Sequence, residues 1–136
     1  MPVPSGPIPT FPRGAALQNG DALNKIAQLL GSTHNNITAK AGGGKANAIN
    51  ITGCNARITV CVTNGDSVKL PPGYPGLKIY LMNSGAANAQ VFGAGNDTID
   101  DVVTATGVTQ NAGKSALYTC FDVVAGVGKW GRNLSA

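Results

Sequence analysis

The chain has 136 residues, a length that fits one domain and leaves no room for a second, catalytic one. Glycine supplies 19 residues, charged side chains only 12%, and Glu none, which excludes a mostly helical protein, because exposed helix faces are normally built from Glu and Lys. Ten Lys and Arg against six Asp leave a net charge of +4, but the cations stand singly and without interleaved aromatics. Nucleic acid is therefore not an expected partner, and with no apolar run near the roughly 18 residues of a span, neither is a membrane.

Residues 1–13 carry prolines at 2, 4, 7, 9 and 12, which deny the segment helix and ladder donors. It is expected to be an extended arm, with Ile8 and Phe11 as its apolar anchors and Arg13 as its charge. At about 3.3 Å per residue such an arm reaches roughly 40 Å. Asn19, Gly20 and Asp21 then supply a turn and a cap before Leu23, Ile26, Ala27 and Leu30, whose spacing predicts a short helix over residues 21–31 ending at Gly31. Residues 32–45, with three consecutive glycines at 42–44, read as a linker. The division expected is an arm, helix and Gly-rich linker over 1–45 and a β-domain over 46–136.

Beyond residue 46 the periodicity becomes two. Ile58, Val60 and Val62 alternate with Thr59, Cys61 and Thr63, as in a half-buried strand. A turn at Asn64, Gly65 and Asp66 leads to a strand over 67–70, and Pro71, Pro72, Gly73 and Pro75 force a loop. Further strands are expected over 77–83, 89–92, 98–103 and 115–124, with a last short one around Lys129 and Trp130. Short strands with turn signals every 8 to 12 residues or so, and no helices between them, predict an all-β, antiparallel β-sandwich of the jelly-roll kind.

Chemistry finds little purchase. Gly107 followed by Gly113, Lys114 and Ser115 has five residues between its glycines where a phosphate-binding loop has four, and an alternating strand follows in place of a helix. Asn96, Asp97, Asp100 and Asp101 lack the spacing and terminal Glu of a calcium loop and read as a solvated turn. His34 has no Cys or carboxylate nearby to orient it, and Cys54, Cys61 and Cys120 lack metal-site spacing and read as reduced, buried, small hydrophobes. Neither catalysis nor a metal or other cofactor is expected.

From about residue 48 to 130 the order of motifs resembles a β-domain of tailed-phage particles. The strand Gly65, Asp66, Ser67, Val68, Lys69, Leu70, Pro71 precedes a Gly-led strand over 76–83, reading GLKIYLMN. A turn at Ser84, Gly85 and Ala86 follows, then VFGAGNDTI over 91–99 and a closing pattern over 108–120 and 128–130. The whole chain is similar to the capsid decoration, or cement, proteins of podovirus heads. That resemblance implies a jelly roll sitting as a homodimer on the outer surface of the virion, made in the host bacterial cytoplasm, and clamping neighbouring subunits of the major capsid protein. The arm and helix are not part of the shared pattern. Ile8, Phe11, Arg13, Leu23 and Ile26 are expected, on their own chemistry, to be the capsid or dimer contacts. The rival expectation is a receptor- or glycan-binding module of a head or tail fibre, with Tyr74 and Trp130 as the candidate exposed aromatics, although such residues more often serve in packing.

Overall fold

The computed structural model describes residues 31–136. The expected arm, all but the last residue of the expected helix, and the proposed contacts Ile8, Phe11, Arg13, Leu23 and Ile26 lie outside the described residues. Within them the chain is all β: β1 (Thr33–Thr38), β2 (Ile49–Asn50), β3 (Asn55–Val60), β4 (Asp66–Lys69), β5 (Lys78–Asn83), β6 (Ala89–Phe92), β7 (Thr98–Ile99), β8 (Val108–Gln110), β9 (Ser115–Val124) and β10 (Val127–Leu134).

The strands form a six-stranded sheet, ordered β1-β3-β5-β9-β10-β7, and a four-stranded sheet, ordered β2-β4-β6-β8. Both contribute to one hydrophobic core: Ile37, Ile58, Ile79, Leu81 and Tyr118 from the larger sheet meet Val68, Ala89, Val91 and Val108 from the smaller. Burying these side chains from two facing layers is the main stabilising term, at about 25 cal/mol per Å² of apolar surface removed from water.

The sheets are mixed, which corrects the expectation of antiparallel pairing. β9 runs antiparallel to β5 and β10, and β6 to β8. The pairs β1–β3, β3–β5, β2–β4, β4–β6 and β10–β7 are parallel. Parallel neighbours need a crossover. In the first four of these pairs the crossover is a single strand of the opposite sheet, not a helix, because from β1 to β9 successive strands alternate between the two sheets.

Local phase follows side-chain chemistry with two slips. In β5, Ile79, Leu81 and Asn83 point inward while Lys78 and Tyr80 point out. In β3, Ala56 and Ile58 are buried, but Ile37 of β1 pairs with Ile58 and Thr38 with Val60, leaving Thr59 over as a bulge. Beyond it the inward position passes to Cys61, and Val62 is 74% exposed, contrary to the alternation expected for Ile58, Val60 and Val62. The second slip lies in β1 itself, where Asn36 takes φ 58° between the pairs at His34 and Ile37.

β1 occupies part of the expected linker, so the sheet begins before residue 46. The strand expected over 98–103 stops at Ile99, because Asp100 and Asp101 both adopt left-handed backbone (φ 52° and 60°) and turn the chain. The last strand is eight residues long, not a short segment around Lys129. Its interior glycines have a packing reason: a Cβ on Gly128 would stand 2.7 Å from Asp97 Oδ2, and one on Gly131 would stand 2.7 Å from the Phe121 ring.

Thr98 Oγ1 is buried with no hydrogen-bond partner. Thr98→Val keeps the shape and removes the stranded hydroxyl, so it is expected to raise stability by about 1 kcal/mol in urea unfolding.

Candidate docking face

Three groups of polar residues that a sequence would place at the surface are buried. Asp97, expected in a solvated turn, is 6% exposed. Its Oδ2 accepts from the Gly73 N–H at 2.8 Å and from Trp130 Nε1 at 3.4 Å, and its Oδ1 accepts from the Gly128 N–H at 2.7 Å. The carboxylate thus ties the 71–76 loop to β10. Asp100 serves a different point of the same strand, pairing with Arg132 Nε at 2.7 Å, so the acidic residues do not converge on one point.

Asp66 accepts from the N–H groups of Val62 and Thr63 at 3.1 and 3.0 Å and fixes the connection from β3 to β4. The third group joins three strands: Tyr118 Oη donates to Gln110 Oε1 at 2.8 Å, Gln110 Nε2 donates to the Lys114 carbonyl at 2.9 Å, and Asn83 Nδ2 donates to the Gln110 carbonyl at 3.0 Å. All these buried groups are spent on the protein's own backbone and side chains, which is what their burial requires.

The three thiols are buried, as their expected role of small hydrophobes requires. Burial pushes the Cys61 and Cys120 thiols up from their ordinary range, holding them in the protonated, weakly nucleophilic form. Trp130 is 3% exposed and lies against Asp97, so it is a packing residue and not the exposed platform expected of a receptor module. Tyr74 remains partly exposed on the 71–76 loop. His34 Nδ1 accepts from the Thr52 N–H at 3.1 Å, a structural use of the ring.

The outward chemistry concentrates on the outer face of the six-stranded sheet. Register places Thr33, Asn55, Tyr80, Leu117 and Asn133 in one cross-strand row over β1, β3, β5, β9 and β10. Arg57, Met82 and Ser115 form a parallel row, and Lys78 and Thr119 a third. Tyr80 is 44% exposed, and Phe121, laid over Gly131, is 71% exposed. Val124 continues the apolar surface toward the β9–β10 turn.

Where β1, β3 and β5 lie side by side, the face dips into a groove of about 370 Å³ lined by Thr33, Asn35, Asn55, Arg57, Tyr80 and Met82. Arg57 Nε donates to Ser84 Oγ at 3.1 Å, which holds its stem along the edge of the groove. The signal for this face was present in the sequence: the strand KIYLMN carries apolar residues on both of its phases, so one phase must emerge from the core.

Set against known proteins, the chain matches no protein-family model and no curated protein.

Proposed function

We propose that this protein is a capsid decoration protein of a tailed phage, a β-sandwich that sits as a homodimer on the outer surface of the virion and clamps neighbouring major capsid protein subunits. The observation that carries this reading is the apolar outer face of the larger sheet, where Leu117, Phe121 and Val124 stand in solvent on strands locked to a fully packed core. Exposed apolar and aromatic side chains interleaved with a cation such as Lys78 have the composition of a protein-binding surface. The motif order over 48–130 supplies the virion context. The alternating, partly parallel connectivity departs from a jelly roll's antiparallel keys, but two facing sheets over one core serve the same mechanical purpose.

The mechanism is mass action. A protein that binds only the assembled shell stabilises it by RT ln(1 + [L]/Kd) at each site, about 2.7 kcal/mol when free protein stands at a hundred times Kd. Many equivalent sites multiply that modest gain. Ile8, Phe11, Arg13, Leu23 and Ile26 would extend the grip to a neighbouring subunit or the dimer mate.

Purified protein added to undecorated heads is expected to co-sediment with them. Phe121→Asp, which leaves the core untouched, is expected to weaken that binding by 30-fold or more, since losing a central apolar anchor costs on the order of 2 kcal/mol or more. Undiminished coating by the variant would remove the face from the contact. No co-sedimentation of the wild-type protein would sink the capsid reading itself.

A further inference from the structure

We infer that the groove over β1, β3 and β5 takes an extended, acidic segment of a partner protein, with a carboxylate on Arg57 and an apolar side chain two residues along against Tyr80 and Met82. The inference rests on the docking reading above and deepens it by naming the chemistry of the partner.

Charge selects the partner. Arg57 Nε donates to Ser84 Oγ at 3.1 Å, while its two terminal nitrogens have no partner among the described residues. A guanidinium held through Nε presents those two nitrogens as a fork, which matches a carboxylate at two points. The protein's own carboxylates do not compete for it. Asp66 and Asp97 are buried, and Asp100 is paired with Arg132. On β1, β3, β5, β9 and β10 the sole acidic residue is Asp122. It stands beside Lys129, toward the opposite end of β9 from Ser115, the position in line with Met82 and Arg57. A second copy laid on this face would therefore offer one carboxylate, already beside a lysine, to Arg57 and Lys78. The occupant that charge favours is a different, acidic chain.

Spacing selects its shape. Register puts Asn55 beside Tyr80 and Arg57 beside Met82, so the two rows lie two residues, about 6.6 Å, apart along the strands. An extended chain repeats its side chains on one side at the same interval. A carboxylate at position i and a leucine-sized side chain at i+2 thus reach Arg57 and Tyr80 together. The volume of about 370 Å³ suits a few side chains and not a folded element. Asn35 and Asn55 line the same groove, and their amides offer partners to the main chain of an extended segment, which brings N–H and C=O groups that need them. Tyr80 stands abreast of Leu117 in register, so a segment seated here borders the proposed contact of Leu117 and Phe121. The exposed apolar side chains supply area, and the groove supplies the charge that reads the partner.

Met82 gives the readout, since Met1 is the only other methionine of the chain. In the full chain labelled with methyl-13C methionine, acetyl-Asp-Ser-Leu-Ser-Asp-amide is expected to shift the Met82 methyl resonance saturably at millimolar concentration, and acetyl-Lys-Ser-Leu-Ser-Lys-amide is not. Arg57→Glu is expected to weaken the response roughly tenfold or more. Lys40→Glu makes the same change of net charge beside the smaller sheet and is expected to leave it unchanged. Emission of the buried Trp130 reports an intact core in both variants. No shift, an equal shift with the lysine peptide, a response that survives Arg57→Glu, or one lost equally in Lys40→Glu would overturn the inference. A Met82 shift that follows protein concentration without peptide would also overturn it, in favour of a second copy as occupant. Undecorated heads separate the groove from the capsid reading: Arg57→Glu is expected to coat them roughly tenfold more weakly than the wild type. Equal coating by the variant would remove the groove from the contact and leave the capsid reading standing. Absence of coating by the wild type would sink the capsid reading, and the peptide titration alone would then decide the groove.

Discussion

Asp97→Ala is expected to cost about 3–5 kcal/mol of stability, the largest loss available outside the aliphatic core. The side chain contributes little packing volume, so the effect comes from what it leaves behind. The N–H groups of Gly73 and Gly128 and the indole of Trp130 all donate to this carboxylate in a site that is closed to water. Without it, three donors are stranded, each at about 1–3 kcal/mol. No neighbour can move in, because Gly73, Gly93 and Gly128 already bring backbone within contact of Asp97. The urea midpoint should fall by roughly 2 M at an ordinary m-value, and Trp130 emission should report loosening between the 71–76 loop and β10. Loss of less than 1 kcal/mol would mean that water enters and satisfies the donors.

Gln110→Leu is expected to cost about 1–3 kcal/mol, because it strands the fully buried Tyr118 hydroxyl, whereas the Lys114 carbonyl keeps the Asn83 N–H at 2.9 Å. Tyr118→Phe alone should cost less, about 1–2 kcal/mol, by leaving only the Gln110 oxygen without its donor. The double variant should be more stable than the sum of the two predicts, since each change removes a group the other has orphaned. A cycle that closes additively would show that the Tyr118–Gln110 bond contributes nothing of its own.

The same hydroxyl sets the alkaline limit. Burial pushes the Tyr118 phenol well above its ordinary value of 10.0, against the opposing pull of Arg132. The folded state therefore holds a proton that the unfolded chain releases first. Its contribution is complete below pH 10 and declines as pH rises beyond that. Tyr118→Phe should flatten the loss of stability above pH 10 while leaving the neutral range with a constant offset.

Strands with clean alternation and firm turns were legible in the sequence. β6 and β9 lie where the pattern puts them, and β5 differs by one residue. β1 was not, because THNNIT buries only Ile37 deeply and owes its existence to pairing with β3. β10 was obscured by Gly128 and Gly131, whose small size answers to Asp97 and Phe121, partners remote in the chain. Periodicity also says which face a residue takes but nothing of which strand lies beside it, so the parallel pairs were out of reach. Asn96 and Asp97 have the chemistry of a turn whether the carboxylate points out or in. Only the approach of Gly73 and Gly128 decides it. The outer face could be inferred from the apolar residues on both phases of β5, whereas the groove required the order β1-β3-β5.

The alternation of successive strands between layers also bears on how the molecule comes together and how it resists force. Among the described strands, β9 and β10 alone are both consecutive in sequence and paired in space. That hairpin can form in microseconds, while every other pairing must first close a longer loop, which favours slow, all-or-none assembly. Once assembled, the chain is laced through both layers like a shoe through its eyelets. Neither layer can be peeled from the other without drawing the thread back through several crossings, so a pull applied at the surface is shared by many rungs at once.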